Sequence, residues 1–416
     1  MKIGAILLTS ILLVEKIVLE KIQAKSILKI FTRNNKYIGA KDRKFLYDIT
    51  FDLLKKYHGL LFICSIRNID VSIRNLALLN FCNKFRNYNL DDLYQGKYSL
   101  KREKNDLAIY NNAIGYKDEI QPKFPDWIEK KVLNLSINKK KSLYQAILTK
   151  PKFDIAINTT KYSRDFVKKQ LKKYGILSSF TKNSSVGITI NNRIPNNILN
   201  KLKNDMFEIQ DEGSQIMTLL TSAEPDTKIL DFCAGKGTKT ILINNLLKNK
   251  GFITAFDKFG ERLEILKKRV KELNLYNINF DSATEYNKYY DLVLCDVPCT
   301  GTGTWRRRPE NIIWLQSQDL EKNKLAQENI LINASKLCKV GGRLVYITCS
   351  LLYDENDSQV EKFLYANKNF TIVSKKNYIN KYFEKNIFTI GKYGITLFPD
   401  IINTDGYYIS ILKKLA

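Results

Sequence analysis

The chain has 416 residues, 44% of them hydrophobic and 26% charged, a globular composition that excludes wholesale disorder. It carries 68 Lys+Arg against 42 Asp+Glu, a formal net charge of +26, and one histidine, His58. A single histidine excludes any two-histidine metal centre. Acid–base repertoires lean on histidine, so an enzyme here must work with other groups.

Apolar residues recur at helical spacing in Ile3–Ile30, Lys44–Lys56 and Val71–Phe85, which predicts helices. Asp42 stands where it would cap the second of them. The apolar run from Ile3 to Val14 is too short to span a bilayer, and its pattern continues through Ile17, Val18 and Ile22. It predicts a buried helix rather than a leader or an anchor. His58 follows Lys55, Lys56 and Tyr57 near the predicted end of a helix, an ordinary place for a basic residue. The stretch from Asp91 to Lys123 breaks the periodicity, and Pro125 reopens a helix. Phe153–Asn158 alternates as a strand, Ser163–Lys173 is a basic amphipathic helix, and Gly187–Ile190 is a second strand.

From residue 228 onward strands alternate with helices. The strands are Lys228–Phe232, Phe252–Phe256, Ile278–Phe280, Leu292–Cys295 and Arg343–Ile347; the helices are Thr240–Leu247, Glu261–Leu273, Leu320–Leu337 and Glu355–Tyr365. That order predicts a parallel sheet covered on both faces. Ligands of such sheets bind at the carboxyl ends of the strands. The expected fold is therefore multidomain: an all-α part over 1–130, a small α+β subdomain over 131–206 and an α/β Rossmann-like domain over 207–416.

Charge follows the same division. Residues 1–206 hold 39 Lys+Arg and 17 Asp+Glu, a balance of +22, whereas residues 207–416 hold 29 and 25, a balance of +4. A basic half beside a near-neutral half predicts an arm for a polyanion, RNA or DNA first and an anionic membrane second. Seven cysteines without a C-x-x-C pair predict no disulfide framework, no bound metal and a reducing cytoplasmic setting.

The first strand of the α/β part runs into Cys233-Ala234-Gly235-Lys236-Gly237-Thr238-Lys239 at the start of a helix. Two glycines there let a ligand approach the backbone. The loop is not a phosphate-binding P-loop, and the dinucleotide fingerprint fits only to Gly237. The second strand ends at Asp257, twenty residues after Gly237, where a carboxylate can accept bonds from both ribose hydroxyls; the third ends at Asp281. A ribose-binding acid without a pyrophosphate motif predicts a nucleoside cofactor such as S-adenosylmethionine. The fourth strand delivers Asp296 and Cys299 to the same rim, and the fifth delivers Cys349. Cys64, Cys82, Cys295 and Cys338 read as small buried hydrophobes. Arg306, Arg307 and Arg308 are candidate phosphate contacts.

Taken together, these stretches resemble the RsmB/NOL/NOP family of RNA 5-methylcytosine methyltransferases, and within it the bacterial RsmB (Sun, Fmu) branch directed at small-subunit 16S rRNA. The residues that carry the likeness are Asp231–Thr240, Asp296–Gly303 and Thr348-Cys349-Ser350. Gln210–Gln215, Trp305–Glu310 and Thr404–Tyr408 match as well. Gly39–Lys44 and the helix after it resemble the NusB-like RNA-binding domain fused to that branch. The chain departs from the family at Lys236 and Thr238, where Pro and Gly are usual; Gly237 and Lys239 are kept.

The resemblance implies that Cys349 is the nucleophile, Cys299 serves product release, Asp296 holds the cytosine edge, and S-adenosylmethionine lies against 233–239, Asp257, Asp281 and Asp296. It implies a monomer that binds RNA and no membrane. Two other readings remain open from the sequence: a tRNA cytosine methyltransferase with the same site, and an RNA-binding ribosome-assembly factor without needed catalysis.

Overall fold

The computed structural model describes every residue except 117, 119, 132–134, 281–289, 380–382, 384–386 and 416. It divides into two units: 1–150 with 305–316, and 151–304 with 317–416.

The first unit is helical. Leu7, Ile11, Val14 and Ile17 fall on one stripe of the helix Ile3–Leu19 and are buried with Leu28, Leu46, Leu53, Leu60, Leu76 and Leu79. The expected buried helix at the N-terminus is therefore present. Among the described residues no helix is long and apolar enough to cross a membrane. The expected single helix over Ile3–Ile30 is instead two, Ile3–Leu19 and Ala24–Asn34. Lys21 between them adopts a positive φ of 51°, which periodicity cannot foresee.

The next helix is longer than expected, Ala40–Arg67, so His58 lies inside it and not near its end. Gly39, not Asp42, is its N-cap; Asp42 sits in the first turn and pairs with the amino group of Met1. The following helix, Ile73–Lys84, is capped by Ser72, whose hydroxyl accepts from the Asn75 N–H. The polar stretch after it contains a helix the periodicity missed, Asp106–Gly115. Its pattern is set by one buried anchor. Asp106 accepts two bonds from Arg74 at 2.6 and 2.8 Å, one from Tyr94 at 2.7 Å and one from the Glu103 amide at 2.9 Å.

The segment 305–316 completes this unit. Trp305 is buried with its ring 5.2 Å from that of Phe124. Trp314 donates to the carbonyl of Ile17 at 2.9 Å, and the Ala24 amide donates to Glu310 at 3.3 Å. His58 Nε2 lies 3.3 Å from the carbonyl of Ile312, and burial pulls its pKa below the ordinary histidine value.

The second unit holds two sheets. The smaller has four antiparallel strands, β1 (Phe153–Ile157), β2 (Ser178–Phe180), β3 (Gly187–Ile190) and β4 (Phe207–Ile209), in the order β2-β3-β1-β4. Ile155, Ile157, Ile188 and Ile190 form one face and are buried with Val167 and Leu171 of the helix Arg164–Lys173. Ala156, on the other face, is buried with Leu219 and Leu242 of the larger domain.

The larger sheet is built on β5 (Lys228–Asp231), β6 (Phe252–Ala255), β7 (Ile278–Asn279), β8 (Tyr290–Asp296) and β9 (Cys338–Thr348), parallel throughout in the order β7-β6-β5-β8-β9. Ile229, Leu230, Leu292, Val293, Leu294, Leu344 and Val345 are fully buried, as expected of parallel strands covered on both faces. Beyond β9 the sheet turns antiparallel. β10 (Phe370–Ile372), β11 (Thr389–Ile390) and β12 (Ile395–Leu397) join through β13 (Tyr407–Lys414), which pairs with β9 from Tyr408–Thr348 to Lys413–Arg343. The strand order reverses at β5, whose neighbours are β6 and β8. A ligand site is expected at the carboxyl ends there.

Candidate active site

β5 ends at Asp231, and the chain turns through 232–237 into the helix Thr238–Leu246. Gly235 and Gly237 take positive φ values of 55° and 80°. The Gly235 amide donates to Asp257 Oδ2 at 2.8 Å, and the Phe259 amide donates to Asp257 Oδ1 at 2.8 Å. Each carboxylate oxygen keeps a second lone pair, so Asp257 is held in place while still able to accept ligand hydroxyls. A methyl group on Gly235 would meet only Asp257 Oδ2, at 4.0 Å; on Gly237 it would strike Leu266, at 2.0 Å from Cδ1. The loop thus packs on one side and is open on the other. Lys236 is exposed, while Cys233, Ala234 and Thr238 are half-buried along the loop. Arg269 donates to the Lys236 carbonyl. Asp281 lies outside the described residues.

Asp231 is buried, and its Oδ2 accepts from Thr240 Oγ1 at 2.7 Å. Burial pushes its pKa up to about 7, with Asp296 adding to the rise and Thr240 and Lys239 opposing it. Lys239 Nζ lies 2.6 Å from Asp296 Oδ2 at the end of β8. Burial works against the charge on Lys239, but the Asp296 carboxylate outweighs it and raises the lysine pKa; the Cys349 side chain adds to the rise.

Three residues after β8, Cys299 Sγ stands 3.4 Å from Cys349 Sγ, one residue past β9. The bond to Cys349, then burial, then the charges of Cys349 and Glu355 push the Cys299 thiol well up, against the Gly301 amide. Cys64, Cys82, Cys295 and Cys338 are buried, and burial raises all four thiols.

Residues beyond the two cysteines, Asp296 and Lys239 also shape this centre. The loops carrying the two cysteines are joined by the Gly303 amide, which donates to the Cys349 carbonyl at 2.9 Å, and the Gly406 amide, which donates to Gly303 at 2.8 Å. Glu355, fully buried, accepts from the Thr300 amide at 2.9 Å, from Thr300 Oγ1 and from Gln327 Nε2 at 3.0 Å. Asn356 accepts from Thr348 Oγ1 at 2.6 Å and donates to the Ser350 carbonyl at 2.9 Å. The sequence places Glu355 at the start of a helix, Glu355–Tyr365, where an acid is ordinary; the helix instead begins at Asp357 and Glu355 ends the turn before it. Only the fold shows that Glu355 points inward.

Arg306, Arg307 and Arg308 belong to the helical unit. Arg306, expected as a phosphate contact, is only 2% exposed, so its guanidinium is not presented to a polyanion; Arg307 is half-buried and Arg308 exposed.

Residues 217–413 match the family described as 16S rRNA methyltransferase RsmB/F. A ribosomal RNA small subunit methyltransferase B of Photorhabdus laumondii is 27% identical over 70% of this chain and 66% of its own length. The 25S rRNA (cytosine-C(5))-methyltransferase nop2 of Schizosaccharomyces pombe is 26% identical over 63% of this chain and 46% of its own. The chain thus spans less than two thirds of either relative. In fold, the chain is similar to the crystal structure of PH0851, with a TM-score of 0.73 and 20% identity over 99% of this chain and 97% of that one. The likeness to the family of 16S rRNA methyltransferases RsmB/F is thus carried by residues 217–413, just under half of the chain.

Proposed function

We propose that the protein is an S-adenosylmethionine-dependent methyltransferase that forms 5-methylcytosine in small-subunit rRNA. The observation that carries this reading is the pair of thiols 3.4 Å apart at the ends of adjacent parallel strands, beside the Asp296–Lys239 pair. The relatives named as rRNA methyltransferases, one of them specific for cytosine C5, support it.

Cytosine C5 is a poor nucleophile, and a thiolate addition at C6 remedies this. Cys349 forms the bond to C6, and the ring electrons move to C5. Asp296 holds the cytosine edge and stabilises the adduct protonated at N3. Lys239 fixes the Asp296 carboxylate and adds positive charge beside Cys349. When bound, S-adenosylmethionine supplies the electrophilic methyl group. A base, a water molecule in the open site, then takes the C5 proton; the C5–H electrons form the C5–C6 double bond, and the C6–Sγ bond breaks with its electrons returning to Cys349 Sγ. Cys299 is placed for that release step.

The open face of Gly235 and the spare lone pairs of Asp257 fit the backbone approach and the ribose of the cofactor. The target base must be unpaired or flipped out to reach two thiols at the base of a loop. The 1–130 helices act as a NusB-like RNA-binding domain and 131–206 as a second RNA contact. Together they supply salt-sensitive backbone affinity, to which Arg307 and Arg308 contribute. The protein works as a monomer in the cytoplasm.

The test is methyl transfer from labelled cofactor to small-subunit rRNA, with bisulfite mapping of rRNA and tRNA from strains with and without the protein. Cys349→Ala should abolish transfer while cofactor still binds, and Cys299→Ala should accumulate a denaturation-resistant protein–RNA adduct. Normal turnover of Cys349→Ala sinks the assignment, and a bisulfite change confined to tRNA redirects the substrate.

A further inference from the structure

Two chemically identical thiols face each other in the site, yet only one can attack. Their surroundings differ. On the Cys349 side stands Lys239, whose ammonium and the Cys349 sulfur influence one another. On the Cys299 side stands Glu355, whose charge acts on Cys299.

Glu355 ends the turn Tyr353–Glu355 and is fully buried. Burying a carboxylate is costly unless donors surround it. Here the donors are the Thr300 amide, Thr300 Oγ1, Gln327 Nε2 and the Ser350 hydroxyl. Burial pushes its pKa up and the donors oppose the rise. Four donors suit the acceptor-only ionised form, since a protonated acid would have to donate as well.

These partners bracket both cysteines. Thr300 follows Cys299, and Gln327 Nε2 also donates to the Pro298 carbonyl at 2.9 Å, just before it. Ser350 follows Cys349 and lies 3.3 Å from Thr300 Oγ1 and 3.2 Å from Thr302 Oγ1. One side chain therefore ties the loop of Cys299 to the loop of Cys349, and its negative charge acts on Cys299.

We infer that Glu355 is a positioning residue that fastens the two cysteine loops together and keeps Cys299 as the protonated donor of the Cys299–Cys349 bond, so that Cys349 is the sulfur that attacks. The inference rests on the two-thiol reading above. The groups facing the pair are Glu355 and the Gly301 amide at Cys299, and Lys239 with its partner Asp296 at Cys349.

The experiment is alkylation of the full-length protein with iodoacetamide, read cysteine by cysteine by peptide mass spectrometry from pH 6 to 10. It needs neither RNA nor cofactor, so it can fail independently of the methyltransferase assay. In the wild type Cys349 should be labelled well ahead of Cys299 at pH 7. In Glu355→Gln, which keeps the shape and removes the charge, the Cys299:Cys349 labelling ratio should rise about tenfold, the effect of one pKa unit from a neighbouring like charge. Glu355→Asp, which keeps the charge, should retain the wild-type preference, and it serves as the folded control if the Gln variant melts early. In methyl transfer, Glu355→Gln should lower kcat at neutral pH with an unchanged KM for RNA, and the deficit should shrink as the pH rises. Wild-type labelling selectivity and pH profile in Glu355→Gln would overturn the inference. Intact selectivity effects with no methyl transfer by the wild type would overturn the proposed activity instead.

Discussion

The two glycines of the β5 loop should fail in different ways when each gains a methyl group. At Gly237 the added Cβ would lie 2.0, 2.8 and 2.9 Å from Leu266 Cδ1, Cγ and Cδ2. Leu266 is fully buried in the core of the larger sheet's domain, so the whole side chain must move. Forcing an extra methyl into such a core costs about 1–3 kcal/mol, and a left-handed backbone costs a non-glycine residue roughly 1–2 kcal/mol more. Gly237→Ala should therefore lose about 2–5 kcal/mol. At Gly235 only the backbone cost applies, about 1–2 kcal/mol, because its Cβ would meet nothing nearer than 4.0 Å. That methyl would instead occupy the open face, and Gly235→Ala should weaken cofactor affinity by about tenfold or more, the equivalent of ~1.4 kcal/mol.

The units can be followed separately. Trp127, Trp305 and Trp314 all lie in the helical unit, so indole fluorescence reports that unit, while far-UV circular dichroism also reports the sheets. Urea unfolding of Gly237→Ala should show an early dichroism transition with little change in the fluorescence transition. Calorimetric titration with S-adenosylhomocysteine should show the larger loss for Gly235→Ala. The reasoning is refuted if Gly237→Ala costs under about 1 kcal/mol, or if Gly235→Ala is the less stable of the two.

Asp231 titrates near 7 in the fold against about 3.9 in an unfolded chain. The folded state thus holds a proton that the unfolded state has lost, and stability falls as the pH climbs from about 4 to 7, by on the order of 4 kcal/mol. Asp231→Asn should flatten that slope in urea titrations at pH 5 and 8; equal slopes in the two proteins would refute it. Asp106 behaves oppositely. Burial works against its charge, but the bonds from Arg74 and Tyr94 hold its pKa below the ordinary carboxylate value. Its contribution is therefore present above the unfolded carboxylate pKa and lost as the pH falls through the folded one. Asp106→Asn should cost the helical unit about 3 kcal/mol at pH 7, read by tryptophan fluorescence, with the gap to wild type closing in acid. A gap of the same size at pH 3 would contradict the assignment.

Much of the site could be read from residue order. β5 and β8 end in Asp231 and Asp296, and β6 and β9 lead directly to Asp257 and Cys349, because parallel strands bury both faces and expose their ends. Spacing along the chain placed Cys299 and Cys349 on one rim, though it carries no distance. Glu355, Gln327 and Asn356 were not legible. They lie on a helix and a turn whose inward faces depend on how those elements seat against the sheet. Arg306 was not legible for a related reason: Arg306-Arg307-Arg308 reads as a basic run fit for phosphate contacts, yet Arg306 is buried in the helical unit.

The antiparallel partners of β9 were equally hidden. β13 pairs with β9 although residues 349–406 lie between them in the chain, a contact that local periodicity does not encode. By itself the amino-acid order determined the alternation of strand and helix, the split of charge between the halves and the chemistry available without a histidine pair. These follow from local side-chain pattern and composition. The tertiary structure decided which two of seven cysteines meet, which carboxylate binds Lys239 and which one ties the cysteine loops together. The Cys299–Cys349, Lys239–Asp296 and Thr300–Glu355 contacts join residues 50 or more positions apart, and only packing against a common sheet sets them.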